Sequence, residues 1–494
     1  MESQIQFDSS LIHEISPNTY EIPIGFIPDM KVPCYFYSSP DQYEFFLGEL
    51  NTWKKDKSRG LPSLVMLATV STLSGISKGS FAMPDMHSGY GFTIGGVAAF
   101  DLDDPSAIIS PGGVGNDINC GVRCLTTHLK VEQVEPVKEA LISSIERNVP
   151  SGIGGGRKNF IKGLKDIDSI LEKGAGWALE HNFAFPEDIE NCEEHGCLSD
   201  ARPEFITEKM KGRGLNQVGT IGSGNHYVEI QAVEQVFDEE AAAIMGLVPG
   251  EVVVMIHTGS RGLGAAVATE YINELSKKPE CVNHLNKQLS SVPFISEDGK
   301  KYWGAMCAAA NYAWCNRQIV THFVRESFKE IFGNDIKLDL IYDVAHNIAK
   351  IEEFNGKHYL VHRKGATRAF GPGRLEIPEK YRKIGQPVLI GGSLGTASYI
   401  LVGSDQSMDV AFGSTCHGSG RLLSRSQALK SLKEDEIQSE LHSKGIIVKA
   451  ASAKTIIDEA PQSYKDVDTV VDVCQTVGLS KKVARTIPMA VIKG

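Results

Sequence analysis

The segment 110–123 places a carboxylate and a thiol close together on a glycine-rich backbone. It reads Ser-Pro-Gly-Gly-Val-Gly-Asn-Asp-Ile-Asn-Cys-Gly-Val-Arg, with Asp117 three positions before Cys120. Glycine lets the backbone approach a bound group closely, and carboxylate and thiolate groups are both metal ligands. The segment therefore predicts a metal or phosphate site.

Three histidines further along the chain lie in similar contexts. His257 and His346 each come at or just after a short apolar run, and His226 lies in Gly-Ser-Gly-Asn-His. One carboxylate, one thiolate and three imidazoles exceed a single tetrahedral shell, but they suit two divalent ions that share Cys120. Thiolate and imidazole ligands favour zinc, so the residue types alone do not select manganese.

A further histidine, His417, lies in Thr-Cys-His-Gly-Ser-Gly-Arg at 415–421. A neutral imidazole between small residues can attack phosphorus and form a covalent phosphoramidate, although an ordinary turn histidine would look the same. Upstream, Gly-Gly-Ser-Leu-Gly-Thr-Ala-Ser at 391–398 offers amides and hydroxyls to phosphates. That loop matches neither the Walker A motif nor the dinucleotide fingerprint.

The composition predicts a soluble, intracellular globular protein. The chain has 494 residues, of which 42% are hydrophobic and 22% are charged, so it can bury a large core. Its net charge of −11 argues against a protein that coats nucleic acid non-specifically, but not against a local basic groove. Ten irregularly spaced cysteines indicate a reducing compartment. We expect no secretory signal and no membrane span.

Short apolar runs and amphipathic stretches follow one another without a repeat or a linker, which predicts one α+β domain over 1–494 with its sites at strand ends. Residues 152–207, which are polar and weakly periodic, are the candidate for an inserted surface subregion. The predicted elements include strands at 95–100, 252–256, 338–343, 359–362, 387–390, 446–451 and 489–493, and helices at 62–73, 134–147, 308–332 and 467–476.

Taken in order, the motifs of this chain resemble those of the RtcB family of RNA ligases, in the form found in eukaryotes and archaea. The motifs are Met83-Pro-Asp-Met-His, Gly113-Val-Gly-Asn-Asp-Ile-Asn-Cys, Gly222-Ser-Gly-Asn-His, His257-Thr-Gly-Ser-Arg, Asp343-Val-Ala-His-Asn, His362-Arg-Lys-Gly-Ala-Thr-Arg, Cys416-His-Gly-Ser-Gly-Arg and Ala490-Val-Ile-Lys-Gly. The resemblance covers essentially the whole chain. It implies a single large mixed α/β domain of the RtcB type, with bimetal and guanylate sites at strand ends in a central cleft.

This chain departs from the usual residues of the family at a few positions near these motifs. The departures are Asn116, Asn216, Ser419 and the pair Ala265 and Ala266. None of them removes a predicted metal ligand or His417.

The resemblance also implies an activity. It is that of a GTP- and manganese-dependent RNA ligase, which joins 2′,3′-cyclic phosphate or 3′-phosphate ends to 5′-hydroxyl ends, as in tRNA splicing. His417 would attack the α-phosphorus of GTP and form a histidine–GMP intermediate. The RNA 3′-phosphate would then take over the guanylate through a pyrophosphate link, and the 5′-hydroxyl end would displace GMP.

The family's site residues carry over to matching positions of this sequence. One Mn²⁺ would be held by Asp117, Cys120 and His226, and the other by Cys120, His257 and His346. The guanylate-binding positions would be Asn225, His226, Tyr227, Val228, Glu229, His346, Asn347, Gly391, Gly392, Ser393, Leu394, Ser398, His417, Gly418, Ser419, Gly420, Tyr464 and Lys493. RNA phosphates would be bound by Arg213, Arg261 and Arg421.

The expected partners are tRNA exon halves with 2′,3′-cyclic phosphate and 5′-hydroxyl ends, an archease-type activator, and a tRNA-ligase complex with helicase and scaffold subunits, in the cytoplasm and the nucleus. Two other functions stay open. A binuclear metal phosphohydrolase would use the same ligands to activate water, but would give His417 and Lys493 no role. A non-catalytic RNA-binding scaffold subunit would be expected to have lost part of this residue set.

Overall fold

The computed structural model describes residues 7–57, 60–152, 155–278, 281 and 287–494. Its strands are β1 (His13–Ser16), β2 (Thr19–Ile22), β3 (Cys34–Tyr37), β4 (Ile76–His87), β5 (Ile94–Asp101), β6 (Ile108–Ile109), β7 (Gly121–Lys130), β8 (Tyr227–Val236), β9 (Glu251–Thr258), β10 (Val292–Pro293), β11 (Asp339–Ala345), β12 (Asn347–Phe354), β13 (Lys357–Lys364), β14 (Ala366–Arg368), β15 (Pro387–Ile390), β16 (Ser398–Gly403), β17 (Ser414–Cys416), β18 (Ile447–Ala450) and β19 (Ser480–Lys493).

The helices lie between these strands, with short 3₁₀ turns beside them. They are α1 (Pro40–Lys55), α2 (Ser63–Val70), α3 (Val131–Val134), α4 (Lys138–Asn148), α5 (Leu164–Lys173), α6 (Ala175–Glu180), α7 (Pro186–Glu190), α8 (Glu208–Gly214), α9 (Glu239–Met245), α10 (Arg261–Leu275), α11 (Glu297–Phe332), α12 (Ser407–Ala411), α13 (Arg425–Ser431), α14 (Glu434–Ser443), α15 (Ala453–Asp458) and α16 (Val467–Thr476).

Two large sheets organise the molecule into a single large mixed α/β domain, as predicted. The first has the strand order β1-β2-β3-β4-β5-β13-β12. The second has the order β11-β7-β9-β8-β19-β16-β15, with β18 parallel to the end of β19. Most neighbouring strands are antiparallel, so the start of one strand lies beside the end of the next.

Helix α11 runs through the largest hydrophobic cluster among the described residues. Ser296 caps it, since its hydroxyl accepts a hydrogen bond from the amide of Gly299 at 3.1 Å. Buried side chains occupy nearly the whole of its length, and it packs against α4, α5, α6 and α10. The helix begins eleven residues before the predicted 308. Its first turns contain charged residues and Gly299, so they lack the regular apolar spacing from which a helix is predicted.

The segment 152–207 forms helices α5, α6 and α7, and part of it is buried. Ile167, Ile170 and Trp177 belong to the same hydrophobic cluster as the side chains of α11. That the segment is an insertion stays a prediction. Among the described residues, the structure contains no helix with the length and apolar character of a membrane span.

Candidate metal and nucleotide site

Four strand ends meet at one edge of the second sheet. Strand β7 pairs with β9 and with β11, and β9 pairs with β8, all antiparallel. The start of β7, the end of β9, the start of β8 and the end of β11 therefore lie side by side. Each of these four ends carries, within the strand or directly beside it, one predicted ligand, in the same order: Cys120, His257, His226 and His346. Buried strands from distant parts of the sequence thus deliver the predicted ligands to one place.

The ligand atoms form a continuous chain of close contacts. Sγ of Cys120 lies 3.2 Å from Nε2 of His226 and 3.2 Å from Nε2 of His257. The Nε2 atoms of His257 and His346 are 3.3 Å apart, and Nε2 of His226 is 2.9 Å from a carboxylate oxygen of Asp117. The predicted metal ligands therefore converge in one cluster, which is buried around Cys120.

Backbone carbonyls fix two of these imidazoles. Nδ1 of His226 donates to the carbonyl of Ile221 at 3.0 Å, and Nδ1 of His257 donates to the carbonyl of Asn225 at 3.1 Å. With the proton on Nδ1, the Nε2 lone pair of each ring points to the cluster, which is the arrangement of metal-bound histidine. Burial lowers the pKa of His257 well below its ordinary value, so this ring is in the neutral, ligating form.

The protonation of the other ligands also fits a cation. Burial raises the pKa of the Cys120 thiol well above its ordinary value, so a bound cation is needed to hold it as a thiolate. Burial alone would raise the pKa of Asp117, but in the cluster without metal a proton on Nε2 of His226 takes the place of a cation, and its hydrogen bond and charge hold the pKa of Asp117 at about 2. Converging lone pairs of this kind repel one another unless a cation lies between them. The donor set fits divalent metal ions.

Asp117 is oriented by the turn that follows β9. One of its carboxylate oxygens accepts from the amide of Ser260 at 2.9 Å and from its hydroxyl at 3.2 Å. A Cβ atom at Gly259 would lie 2.5 Å from both carboxylate oxygens, so only glycine fits at this position. The glycine-rich turn thus makes room for the carboxylate and donates to it.

His417 follows β17 at the other end of the site, where its ring centroid lies 4.9 Å from that of His346. Its Nδ1 donates to a carboxylate oxygen of Asp85 at 2.6 Å. The same oxygen accepts from the amides of His417 and Gly418, at 3.0 and 3.3 Å. Burial alone would raise the pKa of Asp85, but His417 lowers it overall, so the carboxylate is ionised. Nε2 of His417 therefore keeps its lone pair for chemistry.

A cavity of about 220 Å³ connects the metal ligands to His417. Cations and an aromatic ring also line this cavity. Arg421 donates to the hydroxyl of Tyr464 at 3.0 Å, and Nζ of Lys493 lies 3.6 Å from a carboxylate oxygen of Glu459. A space that joins metal ligands, an activated imidazole and cationic side chains can hold a phosphorylated nucleotide.

Comparison with known proteins agrees with this geometry. The family model described as tRNA-splicing ligase RtcB matches residues 66–494. This chain belongs to the RtcB family of RNA ligases. It is 47% identical to the tRNA-splicing ligase RtcB of Methanococcus maripaludis, over 98% of this chain and all of that protein. The proteins of the same name from Archaeoglobus fulgidus and Thermococcus kodakarensis are 46% and 47% identical, over 98% and 96% of this chain and 99% and 97% of their own lengths.

Most of the site residues expected of an RtcB protein line this cavity. They are Asp117, Cys120, Asn225, Tyr227, His257, His346, Asn347, Gly391, Gly392, His417, Gly418, Ser419, Gly420, Arg421, Tyr464 and Lys493. The other predicted residues lie outside its lining and are His226, Val228, Glu229, Ser393, Leu394, Ser398, Arg213 and Arg261.

Residues outside the lining lie close behind it. Ser398 accepts a hydrogen bond from the amide of Gly392 at 3.2 Å. Arg261 begins α10 and donates to the hydroxyl of Thr220 at 3.1 Å, and Arg213 lies in α8 next to Gly262. The individual roles of these residues, like those of the lining residues, stay predictions of the RtcB resemblance.

The site of this RtcB protein also contains residues for which the sequence predicted no role, although Asp85 and His87 lie in one of the RtcB motifs. Asp85 holds His417, and Lys465 fixes Asp85 from behind by donating to the carbonyls of Pro84 and Met86, at 2.9 and 2.6 Å. His87, Arg425 and Glu459 line the cavity. A carboxylate inside the apolar strand β4 was the available signal for Asp85, since a buried charge requires a partner.

Proposed function

We propose that this protein joins RNA ends with 2′,3′-cyclic phosphate or 3′-phosphate to RNA ends with 5′-hydroxyl, using GTP and Mn²⁺, as in tRNA splicing. The proposal draws on membership of the RtcB family and on the tRNA-splicing activity for which its relatives are named. One structural observation supports the proposal independently of the family name. An imidazole whose Nδ1 is held by a buried carboxylate lies beside a cluster of metal ligands.

In the first step, His417 acts as the nucleophile. Its Nε2 lone pair attacks the α-phosphorus of GTP, a nitrogen–phosphorus bond forms, and the bond to the bridging oxygen breaks with release of pyrophosphate. The ring gains positive charge as the bond forms, and the Asp85 carboxylate at 2.6 Å from Nδ1 stabilises that charge. The product is a guanylate covalently attached to His417.

The ligand cluster would hold two divalent ions. Asp117, Cys120 and His226 would bind one, and Cys120, His257 and His346 the other. When bound, such a pair neutralises phosphate charge and keeps the reacting groups in line. Backbone carbonyls orient the imidazoles of His226 and His257 so that their lone pairs face the ions.

The RNA then takes the guanylate from His417. A cyclic phosphate is first opened by water to a 3′-phosphate, whose oxygen attacks the guanylate phosphorus. The nitrogen–phosphorus bond breaks and returns the lone pair to His417. The 5′-hydroxyl oxygen of the second RNA finally attacks the phosphorus of the activated 3′ end, GMP leaves, and the hydroxyl proton is released.

Cationic side chains would bind the nucleotide and the RNA in spite of the net charge of −11. Lys493 and Tyr464 line the cavity and would contact the guanylate. Arg213, Arg261 and Arg421 would bind RNA phosphates, since a guanidinium matches a phosphate in a bidentate way. An archease-type activator, a complex with helicase and scaffold subunits, and residence in the cytoplasm and nucleus are part of the same proposal.

Transfer of label from α-labelled GTP tests this function. In the presence of Mn²⁺, we expect a protein-bound label that survives a denaturing gel, is acid-labile and is stable to alkali. His417→Ala should lose the label and keep its bound metal. Guanylylation that persists in His417→Ala would contradict the role of this residue. No label in the wild type, with any metal and with an archease-type activator added, would favour the phosphohydrolase or the scaffold.

A further inference from the structure

Helix α11 passes directly behind the metal-ligand cluster and presents one arginine to it. The side chain of Arg317 is fully buried, and each of its five N–H groups has an acceptor. The acceptors are the carbonyl of Asn119 at 2.7 Å, the carbonyl of Thr258 at 3.0 Å, the side-chain oxygen of Asn119 at 2.9 Å, and the two carboxylate oxygens of Asp343 at 2.8 and 2.9 Å.

Each acceptor is close in sequence to a predicted metal ligand. Asn119 directly precedes Cys120, Thr258 directly follows His257, and Asp343 lies three residues before His346. A single guanidinium therefore contacts the three segments that carry the thiolate and two of the imidazoles. Because these segments come from three different strands, their relative positions depend on what lies between them.

The contact with Asn119 also fixes an uncommon backbone conformation. Asn119 has a φ of 52°, in the left-handed region, and its side-chain amide donates to the carbonyl of Ala310 on α11 at 2.7 Å. Both its carbonyl and its side-chain oxygen accept from Arg317. This conformation turns the chain just before Cys120 and so decides where the thiol points.

Asn316, the neighbour of Arg317, contacts the segment whose next residue orients the remaining histidine. Its amide nitrogen donates to the carbonyl of Gly259 at 3.0 Å, and its oxygen accepts from the amides of Gly219 and Thr220, at 2.8 and 3.1 Å. The next residue, Ile221, provides the carbonyl that holds Nδ1 of His226. Two adjacent residues of α11 thus touch all the segments that bear the cysteine and the three histidines.

Only a guanidinium suits this position. A Cβ atom at Gly121 would lie 2.9 Å from the guanidinium of Arg317, so the backbone of the thiol segment packs directly on it. A lysine would offer three donors on one nitrogen atom, whereas the five acceptors are arranged around the plane of the guanidinium group. Asp343 also accepts from Arg123 at 2.8 Å, so the negative charge that holds Arg317 is itself fixed.

We propose that Arg317, supported by Asn316, is the positioning residue of the metal centre and sets the distances among Cys120, His257 and His346. The inference rests on the proposed function, because it takes these side chains to be metal ligands. The hydrogen bonds of Arg317 go to Asn119, Thr258 and Asp343 and not to the ligand side chains themselves. Arg317 acts through the backbone on either side of them.

Binding of Co²⁺ to the metal-free protein tests the inference without any assay of activity. Co²⁺ coordinated by a thiolate gives a charge-transfer absorption, which reports whether Cys120 is in place. We expect Arg317→Lys to bind Co²⁺ about 10–100-fold more weakly, the range for residues that orient metal ligands, with a weaker thiolate band. Asn119→Gly keeps the left-handed backbone and should show a smaller loss in the same direction.

Arg325→Lys is the matched control. Arg325 lies on the same helix and is buried, and it forms a bidentate pair with Asp188 at 2.6 and 2.7 Å together with a bond to the carbonyl of Leu338. Asp188 is linked to Asp343 through two further side chains, Gln318 and Arg123. The hydrogen bonds of Arg325 itself go to none of the residues to which Arg317 donates. Arg325→Lys should therefore lower the melting temperature of the metal-free protein while it binds Co²⁺ like the wild type.

The outcomes separate this inference from the function on which it rests. Co²⁺ binding by Arg317→Lys within twofold of the wild type, with the thiolate band intact, would overturn the positioning role and leave the metal site standing. Equal weakening in Arg325→Lys would overturn it too, since the effect would then follow stability. If the wild type binds neither Co²⁺ nor Mn²⁺, the metal-dependent function fails first, and the inference falls with it.

Discussion

The two ends of the cavity hold their functional imidazoles in different ways. At the metal end, His226 and His257 donate from Nδ1 to the neutral carbonyls of Ile221 and Asn225. At the nucleotide end, His417 donates from Nδ1 to a buried carboxylate. Charged pairs continue along that end, where Glu459 lies within 3.4 Å of Arg421 and 3.6 Å of Lys493.

In the function that we propose, this difference separates a metal ligand from a nucleophile. A carbonyl orients a ring without adding charge, which suits a histidine that only shares its lone pair with a cation. A carboxylate stabilises the positive charge of a ring that forms a covalent bond, which suits a histidine that attacks phosphorus. The sequence separates His417 from the ligand histidines only by its glycine-rich flanks and the RtcB resemblance, whereas the partner of Nδ1 is a physical difference that requires the structure.

Neutralising the Asp85 carboxylate should have the largest effect on the difference between the two ends of the cavity. Asp85→Asn should lower guanylylation by about 10²–10⁴-fold, because the amide no longer stabilises the charged ring or fixes its tautomer. Bound metal should be unchanged. The measurement is the initial rate of label transfer from α-labelled GTP. Asp188→Asn, which also replaces a buried and paired carboxylate, should stay within a few-fold of the wild type; equal losses in both variants would argue against a special role for Asp85.

A second prediction tests the metal end. Cys120→Ala should weaken metal binding by more than about 100-fold, beyond the effect of residues that only orient ligands, because Cys120 contacts two of the imidazoles. Cys124 is also fully buried and lies in β7, four residues after Cys120, so Cys124→Ala is its control and should keep its metal. Elemental analysis after dialysis gives the metal content. Full occupancy in Cys120→Ala would rule out a bridging thiolate.

A third prediction concerns the cations of the nucleotide end. Lys493→Ala should weaken GTP binding by about 10-fold or more, since a hydrogen bond to a charged group contributes about 1.5–3 kcal/mol. Lys481→Ala removes a half-exposed lysine from the same strand and should bind GTP like the wild type. Equilibrium binding of GTP without RNA is the measurement. Unchanged binding in Lys493→Ala would place the nucleotide elsewhere in the cavity.

The smallest effect is a pH dependence. Burial raises the pKa of Glu229 from 4.5 to about 7, against a hydrogen bond from Gln231 and the charge of Lys493. The folded protein therefore keeps a proton that the unfolded chain loses above pH 4.5. Stability should fall by on the order of 1–3 kcal/mol as pH rises from 4.5 to 7. Glu229→Gln should show a flatter change in urea unfolding between pH 5 and 7.5, and an equally steep change would exclude Glu229 as the source.

Much of this arrangement was predictable from local sequence. Helix α16 has the predicted bounds of 467–476, and strand β9 extends the predicted 252–256 by one or two residues at each end. Strong apolar runs with polar flanks leave little choice of element. The five predicted metal ligands also come together, because residue type and the position at a strand end are both visible in the sequence.

Other features depend on contacts that sequence does not display. Asp85 and His417 are 332 residues apart, and nothing near either residue indicates the other. Arg317 lies in the middle of an apolar helix, where an arginine reads as a surface residue. Its burial follows from acceptors supplied by three distant segments. Pairings at such separations are decided by the tertiary fold.

Strand β19 lies at the centre of the second sheet, between β8 and β16, and places Lys493 opposite Tyr227. During synthesis, β8 therefore leaves the ribosome long before β19, its neighbour in the sheet, has been made. Closing so long a loop is slow, and until it closes β8 has an open edge beside the future ligands. Metal binding should therefore come late in folding, and a chain whose synthesis stops before residue 480 should remain without metal.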